Sequence, residues 1–312
     1  MNSDKCLVYS TRRVVRGKRT YVGGFADRIK GVITTYLLAV MTGRRFRMNW
    51  EWPASLDTVL APADYDWRLA EPWVEEDSVV FDLIDAQVTP EKLTPMRTGG
   101  AALNEYLADA ERVTVFCNGF FYRDLRACTV ELEQHGVDMS STPAAFRSCF
   151  DTLFRFRPMG DNIERYMRFR RFRESVPVVY GAQFRTGGKG DWKDPMLDRP
   201  ENVTLLAGQL LQHARAHHPD GFGIFLTTDS QEAKQRLQDA LPADIPLFFY
   251  EDEPAHLDRS PEPEARRVSD QLVVEHTALS ECEMIFVGKG AFGRTAAYRA
   301  GKQPIIYEPL GA

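Results

Sequence analysis

A short segment from Gln183 to Trp192 combines an arginine, a lysine and glycines directly behind a predicted strand. The Arg185 guanidinium is planar and always charged, so it can hold two oxygens of one phosphate group. Lys189 and the glycine N–H groups beside it suit the same anion. Ligands of open α/β sheets bind beyond the carboxyl ends of strands. The segment therefore indicates a diphosphate-binding loop, with a surface arginine in a flexible loop as the alternative.

A second glycine turn, from Val287 to Thr295, also lies between a predicted strand and a predicted helix. The first N–H groups of a helix attract phosphate. The turn lacks the lysine-serine/threonine order of a P-loop. We interpret it as an anion-binding helix start, and an ordinary tight connection is the alternative.

Gly23 and Gly24 stand just before the first long predicted helix, and Asp27 follows them. Glycine lets a substrate approach the backbone closely, so both positions are candidates for ligand contact. Asp27 either caps the helix or faces the ligand. The sequence leaves these two roles open.

Two patterns resemble metal sites, and we interpret both differently. Asp64-Tyr65-Asp66 has the DxD form, but no clear strand leads into it, so we predict a loop. His213 and His217 are four residues apart on a predicted helix, yet no HExxH pattern frames them. We predict no metal site.

Composition excludes several classes of protein. The 312 residues are 44% hydrophobic, enough for one large or two medium cores, and the net charge of −5 argues against a nucleic-acid partner. Five cysteines without a CxxC pair indicate buried thiols. No apolar run reaches the roughly 20 residues of a transmembrane helix, and Met1–Lys5 lacks a signal-peptide core. We expect a cytoplasmic protein without a transmembrane segment.

The first half opens as a doubly wound domain. Residues 6–10 predict a strand, and apolar residues from Ile29 to Met41 recur at helical spacing up to Gly43, which fits a C-terminal cap. Phe46, Met48 and Trp50 then alternate as in a strand. The stretch 144–173 is predicted to be largely helical, with a break at 158–160.

The second half begins near Ser175 and alternates strands with helices. Its first predicted strand is 176–180, after which Gly181 opens a loop. Asp229, with Glu232 three residues later, predicts a helix N-cap and capping box. Repeated βα units predict an α/β fold with mostly parallel strands. We place the domains at 1–174 and 175–312, with a polar loop at 251–267 and a helix at 271–282.

Four stretches in this order, 24–50, 178–192, 224–237 and 275–306, resemble the GDP-fucose-dependent fucosyltransferases. The resemblance is strongest to the α-1,6 group, which includes the rhizobial nodulation-factor enzymes. It implies a GT-B fold, with two Rossmann-like domains facing across a cleft. It also implies inverting transfer from GDP-fucose to a glycan or glycoconjugate acceptor, with no required cofactor. The acceptor would bind the N-terminal domain and the nucleotide sugar the C-terminal domain.

The resemblance also implies roles for particular residues. Arg185 matches the arginine on the β-phosphate, and Glu275 takes the place of an aspartate that binds guanine. Ala291 and Phe292 match the helix start that holds phosphate through backbone N–H groups, and Asp27 falls where related enzymes place a polar residue near the sugar. The sequence departs from the family at Gln183, where histidine is common, and at Gly290 and Ala291, where the family has hydroxyl residues.

These arguments give one set of candidates. The donor-binding candidates are Gly23, Gly24, Gln183, Arg185, Lys189, Asp229, Glu275, Gly290, Ala291 and Phe292. The catalytic candidates are Arg185, Asp191 and Asp27, with Asp194 as a further candidate base. Two alternatives stay open: a glycosyltransferase for another nucleotide sugar, and a non-catalytic sugar-nucleotide or glycan-binding protein of the same fold.

Overall fold

The computed structural model describes residues 5–15, 18–50, 55–186, 198–199, 202–251 and 264–307. The chain divides into two compact units, Met1–Arg157 and Pro158–Ala312. The domain boundary expected from the sequence, at 174/175, lies later in the chain than this division between Arg157 and Pro158. The helix Asp161–Glu174 packs in the second unit, where the rings of Phe169 and Phe225 are 5.0 Å apart. Within the described ranges, no helix has the length and apolarity that a membrane span requires.

The first unit alternates strands and helices along the chain. Its elements are β1 Cys6–Ser10, β2 Arg12–Val15, β3 Lys18–Tyr21, α1 Phe25–Thr42, β4 Arg45–Asn49, β5 Leu60–Pro62, β6 Val79–Leu83, α2 Pro90–Thr98, α3 Gly100–Tyr106, β7 Arg112–Cys117, α4 Tyr122–Leu125, α5 Thr129–Glu133, α6 Thr142–Leu153 and β8 Phe154–Phe156. Single 3-10 turns are present at Leu56–Thr58, Glu75–Asp77, Asp85–Gln87 and Arg126–Cys128.

The first unit is built on a parallel sheet with strand order β4-β1-β7-β6. Leu7 of β1 is paired with Phe46 of β4 and Val113 of β7, and all three side chains are fully buried. Helix α1 packs closely on this sheet, because a Cβ atom on Gly31 would lie 1.9 Å from the carbonyl oxygen of Cys117. Only glycine allows this approach. Antiparallel pairs β2–β3 and β5–β8 complete the described strands of the unit.

The predicted end of α1 is confirmed. Gly43 is the C-cap in the left-handed conformation, with φ of 65°, and its N–H donates to carbonyl groups of the last turn. The alternating strand that follows is also confirmed, since Phe46 and Met48 of β4 are buried while Arg45 and Arg47 are partly exposed.

The second unit repeats the same plan. Its elements are α7 Asp161–Glu174, β9 Val179–Phe184, α8 Asn202–His217, β10 Gly223–Thr228, α9 Gln231–Ala240, β11 Leu247–Phe248, α10 Glu264–Ser280, β12 Met284–Val287, α11 Phe292–Arg299 and β13 Ile305–Ile306. All pairings in its sheet are parallel, in the order β11-β10-β9-β12-β13. The prediction of an α/β fold with two Rossmann-like units, the architecture of the GT-B class, is confirmed.

The two faces of the second sheet are covered by different helices. Tyr180 and Phe184 of β9 belong to a buried core with Leu206 and Leu210 of α8. On the opposite face, a Cβ atom on Gly181 would lie 2.6 Å from Leu279 of α10.

The predicted position of the first strand in this unit is wrong. We expected 176–180 with Gly181 opening a loop, but β9 continues to Phe184 and Gly181 lies inside it. The glycine makes room for α10 instead of breaking the strand. Helix α10 likewise begins at Glu264, before the predicted 271, while residues 252–263 of the predicted polar loop lie outside the described residues.

Candidate functional site

The candidate site is the edge of the second sheet where β9, β10 and β12 end, which we call the carboxyl edge. The first strand of this unit's sheet, β9, lies between β10, which follows it in the chain, and β12. The strand order therefore reverses between β9 and β12, and such switch points are where open α/β sheets bind ligands. Arg185 follows β9, and Gly288 follows β12.

Arg185 and the second glycine turn lie together at this switch point. A Cβ atom on Gly290 would be 3.6 Å from Cδ of Arg185, so the side chain packs along the turn. Gly290 has φ of +97°, a conformation that favours glycine. Gly290, Ala291 and Phe292 are partly exposed, and α11 begins at Phe292 without a side-chain cap. Uncapped N–H groups beside a partly exposed guanidinium are suited to an anion.

Asp229 is at this edge, but it does not cap a helix as we predicted. Ser230 is the N-cap of α9, and its Oγ accepts from the N–H of Ala233 at 3.2 Å. Oδ1 of Asp229 instead accepts from the N–H of Thr186 at 2.8 Å, and Oδ2 is 3.8 Å from Nε of Arg185. The carboxylate of Asp229 accepts from the backbone after β9 and therefore does not cap α9.

Gln183 and Thr227 place buried polar atoms beneath the edge. They are paired across β9 and β10, and each is 4% exposed. Within the described residues, Oε1 of Gln183 and Oγ1 of Thr227 have no hydrogen-bond partner. A Cβ atom on Gly293 would lie 2.8 Å from Cβ of Gln183, so the first turn of α11 rests on this side chain. Buried oxygens of this kind can accept hydrogen bonds from a bound ligand.

Asp198 also belongs to the site, and the sequence analysis missed it. It is 4% exposed, its Oδ2 accepts from the N–H of Lys289 at 2.9 Å, and its Oδ1 accepts from the hydroxyl of Tyr307 at 2.6 Å. Its own N–H donates to the carbonyl oxygen of Arg185 at 2.7 Å. Burial and the hydrogen bond to Asp198 raise the pKa of Tyr307, which keeps it a neutral donor. No local pattern marks Asp198, because its partners are distant in the sequence.

Glu275 lies on α10 and is engaged with the first helix of the unit. Its Oε1 is 2.6 Å from Nη2 of Arg165, whose guanidinium lies 3.8 Å from the ring centre of Tyr250. The side chains of Arg165 and Glu275 are 10% and 22% exposed. One carboxylate oxygen is therefore committed to an ion pair, and contact with guanine remains a prediction.

Gly23, Gly24 and Asp27 lie in the first unit, at the start of α1. Gly24 is the N-cap and provides no side-chain cap. Asp27 stands in the first turn and pairs with Lys30 at 2.8 Å, with 38% of its side chain exposed. Nε of Arg28 donates to the carbonyl oxygen of Gly23 at 2.8 Å. Of the two open roles, Asp27 does not cap the helix.

Several candidates cannot be placed. Lys189, Asp191 and Asp194 lie outside the described residues. The described part of the chain contains no group of three or more His, Cys, Asp or Glu side chains arranged to hold a metal ion. Asp64 to Asp66 lie in a loop, as predicted, but the expectation that no strand leads into them is wrong, since β5 ends just before them at Pro62. The rings of His213 and His217 stack with centroids 4.1 Å apart.

The fold matches solved fucosyltransferases. A mutant of FUT1 from Arabidopsis thaliana in complex with GDP matches with a TM-score of 0.64 and 11% identity, covering 98% of this chain and 71% of that one. NodZ α-1,6-fucosyltransferase soaked with GDP-fucose matches with a TM-score of 0.51 and 15% identity, covering 94% of this chain and 92% of that one. A crystal structure of the fucosyltransferase NodZ from Bradyrhizobium also matches, with a TM-score of 0.50 and 15% identity. POFUT1 in complex with GDP matches with a TM-score of 0.51 and 9% identity, covering 99% of this chain and 100% of that one.

The sequence itself matches no protein-family model and no curated protein. Identities of 9–15% show a shared fold. The resemblance to GDP-fucose-dependent fucosyltransferases is confirmed at that level: this chain has their architecture, and α-1,6-type NodZ is among its structural neighbours.

Proposed function

We propose that this chain is an inverting glycosyltransferase that moves fucose from GDP-fucose to a hydroxyl of a glycan-type acceptor. The observation that carries the proposal is the juxtaposition of Arg185 with the turn at Gly290, at the switch point of a parallel sheet. A guanidinium and a row of backbone N–H groups form a site for a diphosphate. Asp229 also accepts from the N–H of Thr186, the residue next to Arg185, which limits the reorganisation needed when charge develops.

The leaving group of this reaction needs such a site. The acceptor oxygen forms a bond to the anomeric carbon, and the bond from that carbon to the β-phosphate oxygen breaks. Its electron pair stays with GDP, so negative charge builds on the β-phosphate. Arg185 and the N–H groups near Ala291 stabilise that charge, and fixed donors of this kind often supply the largest catalytic contribution.

The acceptor hydroxyl must also lose its proton. Asp27, Asp191 and Asp194 are the candidate bases, because a carboxylate can accept the proton as the new bond forms. Attack opposite the departing phosphate inverts the anomeric centre. We propose no metal in the reaction, because the arginine and the N–H groups stabilise the negative charge of the diphosphate.

The choice of GDP is supported by the structural neighbours, several of which were solved with GDP or GDP-fucose. In this chain, Glu275 is the candidate for recognition of the base, because a carboxylate can accept hydrogen bonds from the N–H groups of guanine. A carboxylate that accepts from guanine discriminates against uracil and adenine, because it requires two adjacent N–H donors.

Calorimetric titration with GDP and UDP tests the nucleotide, and turnover of GDP-fucose against a panel of glycan acceptors tests the reaction. We expect binding of GDP, weak binding of UDP, and product with the anomeric configuration opposite to that of the donor, read by NMR. Activity should persist in EDTA. Preference for UDP would indicate a glycosyltransferase that uses another nucleotide sugar. GDP binding without transfer or hydrolysis would favour a non-catalytic binding protein.

A further inference from the structure

We propose that Asp198 is a positioning residue that fixes the phosphate-binding turn against Arg185. The inference rests on the proposed function, because it assumes that the turn binds the β-phosphate of GDP. The contacts themselves do not depend on that assumption. Asp198 connects the segment after β9, the turn after β12 and the end of β13 through hydrogen bonds to Arg185, Lys289 and Tyr307.

Each carboxylate oxygen of Asp198 accepts a hydrogen bond from a different partner. One carboxylate oxygen accepts from the N–H of Lys289 at 2.9 Å and the other from the hydroxyl of Tyr307 at 2.6 Å. Nδ2 of Asn202 donates to the same hydroxyl at 3.2 Å. Because the side chain is 4% exposed, water does not compete for these bonds. The carboxylate therefore has one orientation.

Gly288 makes room for this carboxylate. A Cβ atom at position 288 would lie 2.1 Å from Oδ2 of Asp198, far closer than two such atoms can approach. The position does not need glycine for its backbone angle, since its φ is outside the range that only glycine adopts readily. Glycine is required there by the Asp198 side chain.

This arrangement determines which N–H groups are left for a ligand. Asp198 accepts from the N–H of Lys289, so the groups that follow, at Gly290 and Ala291, are the ones offered to a phosphate. Because the backbone N–H of Asp198 also donates to the carbonyl oxygen of Arg185, the backbone of Arg185 and the turn that carries these N–H groups are held relative to one another. Fixed donors bind a developing charge without the cost of ordering them.

Variants of Asp198 test the proposal through their affinity for GDP and for GMP, which lacks the β-phosphate. For Asp198→Ala we expect GDP affinity to fall about ten- to a hundredfold, the usual range for loss of a hydrogen bond to a charged group. Affinity for GMP should change far less. Asp198→Asn should recover most of the GDP affinity, because its side-chain oxygen can still accept from Lys289. Asp244→Ala, at an exposed aspartate of the same unit, is the control.

Gly288→Ala provides an independent test. Its Cβ displaces the carboxylate, so this variant should reproduce the loss seen in Asp198→Ala. The double variant should lose no more than either single one, since both act through the same contact. Hydrogen exchange of the Lys289 amide should speed up in each of the three. Additive losses in the double variant would overturn the proposal.

The outcomes separate this proposal from the proposed function. Failure of the wild-type protein to bind GDP rejects the function, while Lys289 exchange still tests the contact. Normal GDP affinity in Asp198→Ala, or equal losses for GDP and GMP, rejects the positioning role and leaves the function standing. If Asp198→Ala does not fold, Tyr307→Phe, which removes one donor to the carboxylate, must show a smaller loss in the same direction.

Discussion

The carboxylate of Asp229 accepts a hydrogen bond from the N–H of Thr186 at 2.8 Å, and so holds the residue that follows Arg185. The same carboxylate is 3.8 Å from Nε of Arg185, too far for a hydrogen bond but close enough for an ion pair. Both side chains of that pair are about 30% exposed, 28% and 30%, so its net contribution is about 0–1 kcal/mol. The hydrogen bond to the backbone is therefore the stronger link between Asp229, which follows β10, and the residues directly after β9.

Substitution of Asp229 should separate these two contacts. Asp229→Asn keeps an oxygen that can accept from Thr186 and loses only the charge, so we expect GDP affinity within about threefold of wild type. Asp229→Ala loses both contacts and should bind GDP about tenfold more weakly. Calorimetry on both variants makes the comparison. Equal losses would assign the effect to charge instead of to the loop.

Removal of Arg185 should affect the chemical step more than folding. We expect Arg185→Ala to lower turnover of GDP-fucose by about 10²–10³, or roughly 3 kcal/mol, the effect of deleting one donor from a charge-stabilising site. Arg185→Lys should recover only part of this, because an ammonium group cannot hold two oxygens at once. Arg215→Ala, at an exposed arginine of α8, is the matched control for loss of a positive charge. Near-normal turnover in a folded Arg185→Ala protein would end the proposed role.

The sequence predicted the parts of the site that lie on regular local patterns. Arg185 and Gly290 both follow predicted strands, and the rule for parallel sheets predicts that both lie at one edge. Asp229, a donor-binding candidate, was wrongly assigned as a helix cap. Aspartate and serine are both good N-caps, and the choice between these adjacent residues depends on the contact of Asp229 with Thr186, which lies after β9.

The parts that were missed depend on contacts between distant residues. Asp198 meets Lys289 and Tyr307 only after the sheet has formed, and nothing in its own neighbourhood indicates this. The stretch 144–173 was predicted to be broken helix, and α6 and α7 agree with that. The short strand Phe154–Phe156 between them was not predicted, because it exists only through antiparallel pairing with Leu60–Pro62.

Glu275 offers a test of base recognition. Glu275→Gln keeps the size of the side chain but replaces one acceptor oxygen with a donor, which would repel a guanine N–H. We expect GDP affinity to fall about ten- to a hundredfold while the weak affinity for UDP stays unchanged. Calorimetry with both nucleotides measures the ratio.

The ion pair with Arg165 requires its own control in that experiment. Arg165→Gln removes the partner of Glu275 without removing the carboxylate, so it should lower the unfolding temperature of the protein but preserve the preference for GDP. Loss of that preference in Arg165→Gln, with Glu275→Gln behaving like wild type, would contradict a direct contact between Glu275 and guanine.

The acid sensitivity of the second unit should depend on His276. This side chain is fully buried, Nε2 is 3.1 Å from Oγ1 of Thr295, and burial, with Arg299 as a smaller cause, lowers the pKa of His276 well below 6.5. The folded protein therefore holds His276 neutral at pH values where the unfolded chain binds a proton. Stability is fully present above about pH 6.5 and declines as pH falls below it, by up to about 1.4 kcal/mol per pH unit for this proton.

Thermal unfolding between pH 8 and pH 5, followed by circular dichroism, measures this dependence. His276→Gln should be less stable than wild type at pH 8, because it disturbs a buried side chain, and the difference should shrink as the pH falls through the window below 6.5. His135→Gln changes an exposed histidine of the first unit and should leave the pH profile as it is in wild type. Parallel profiles for wild type and His276→Gln would show that the buried imidazole does not set the acid limit.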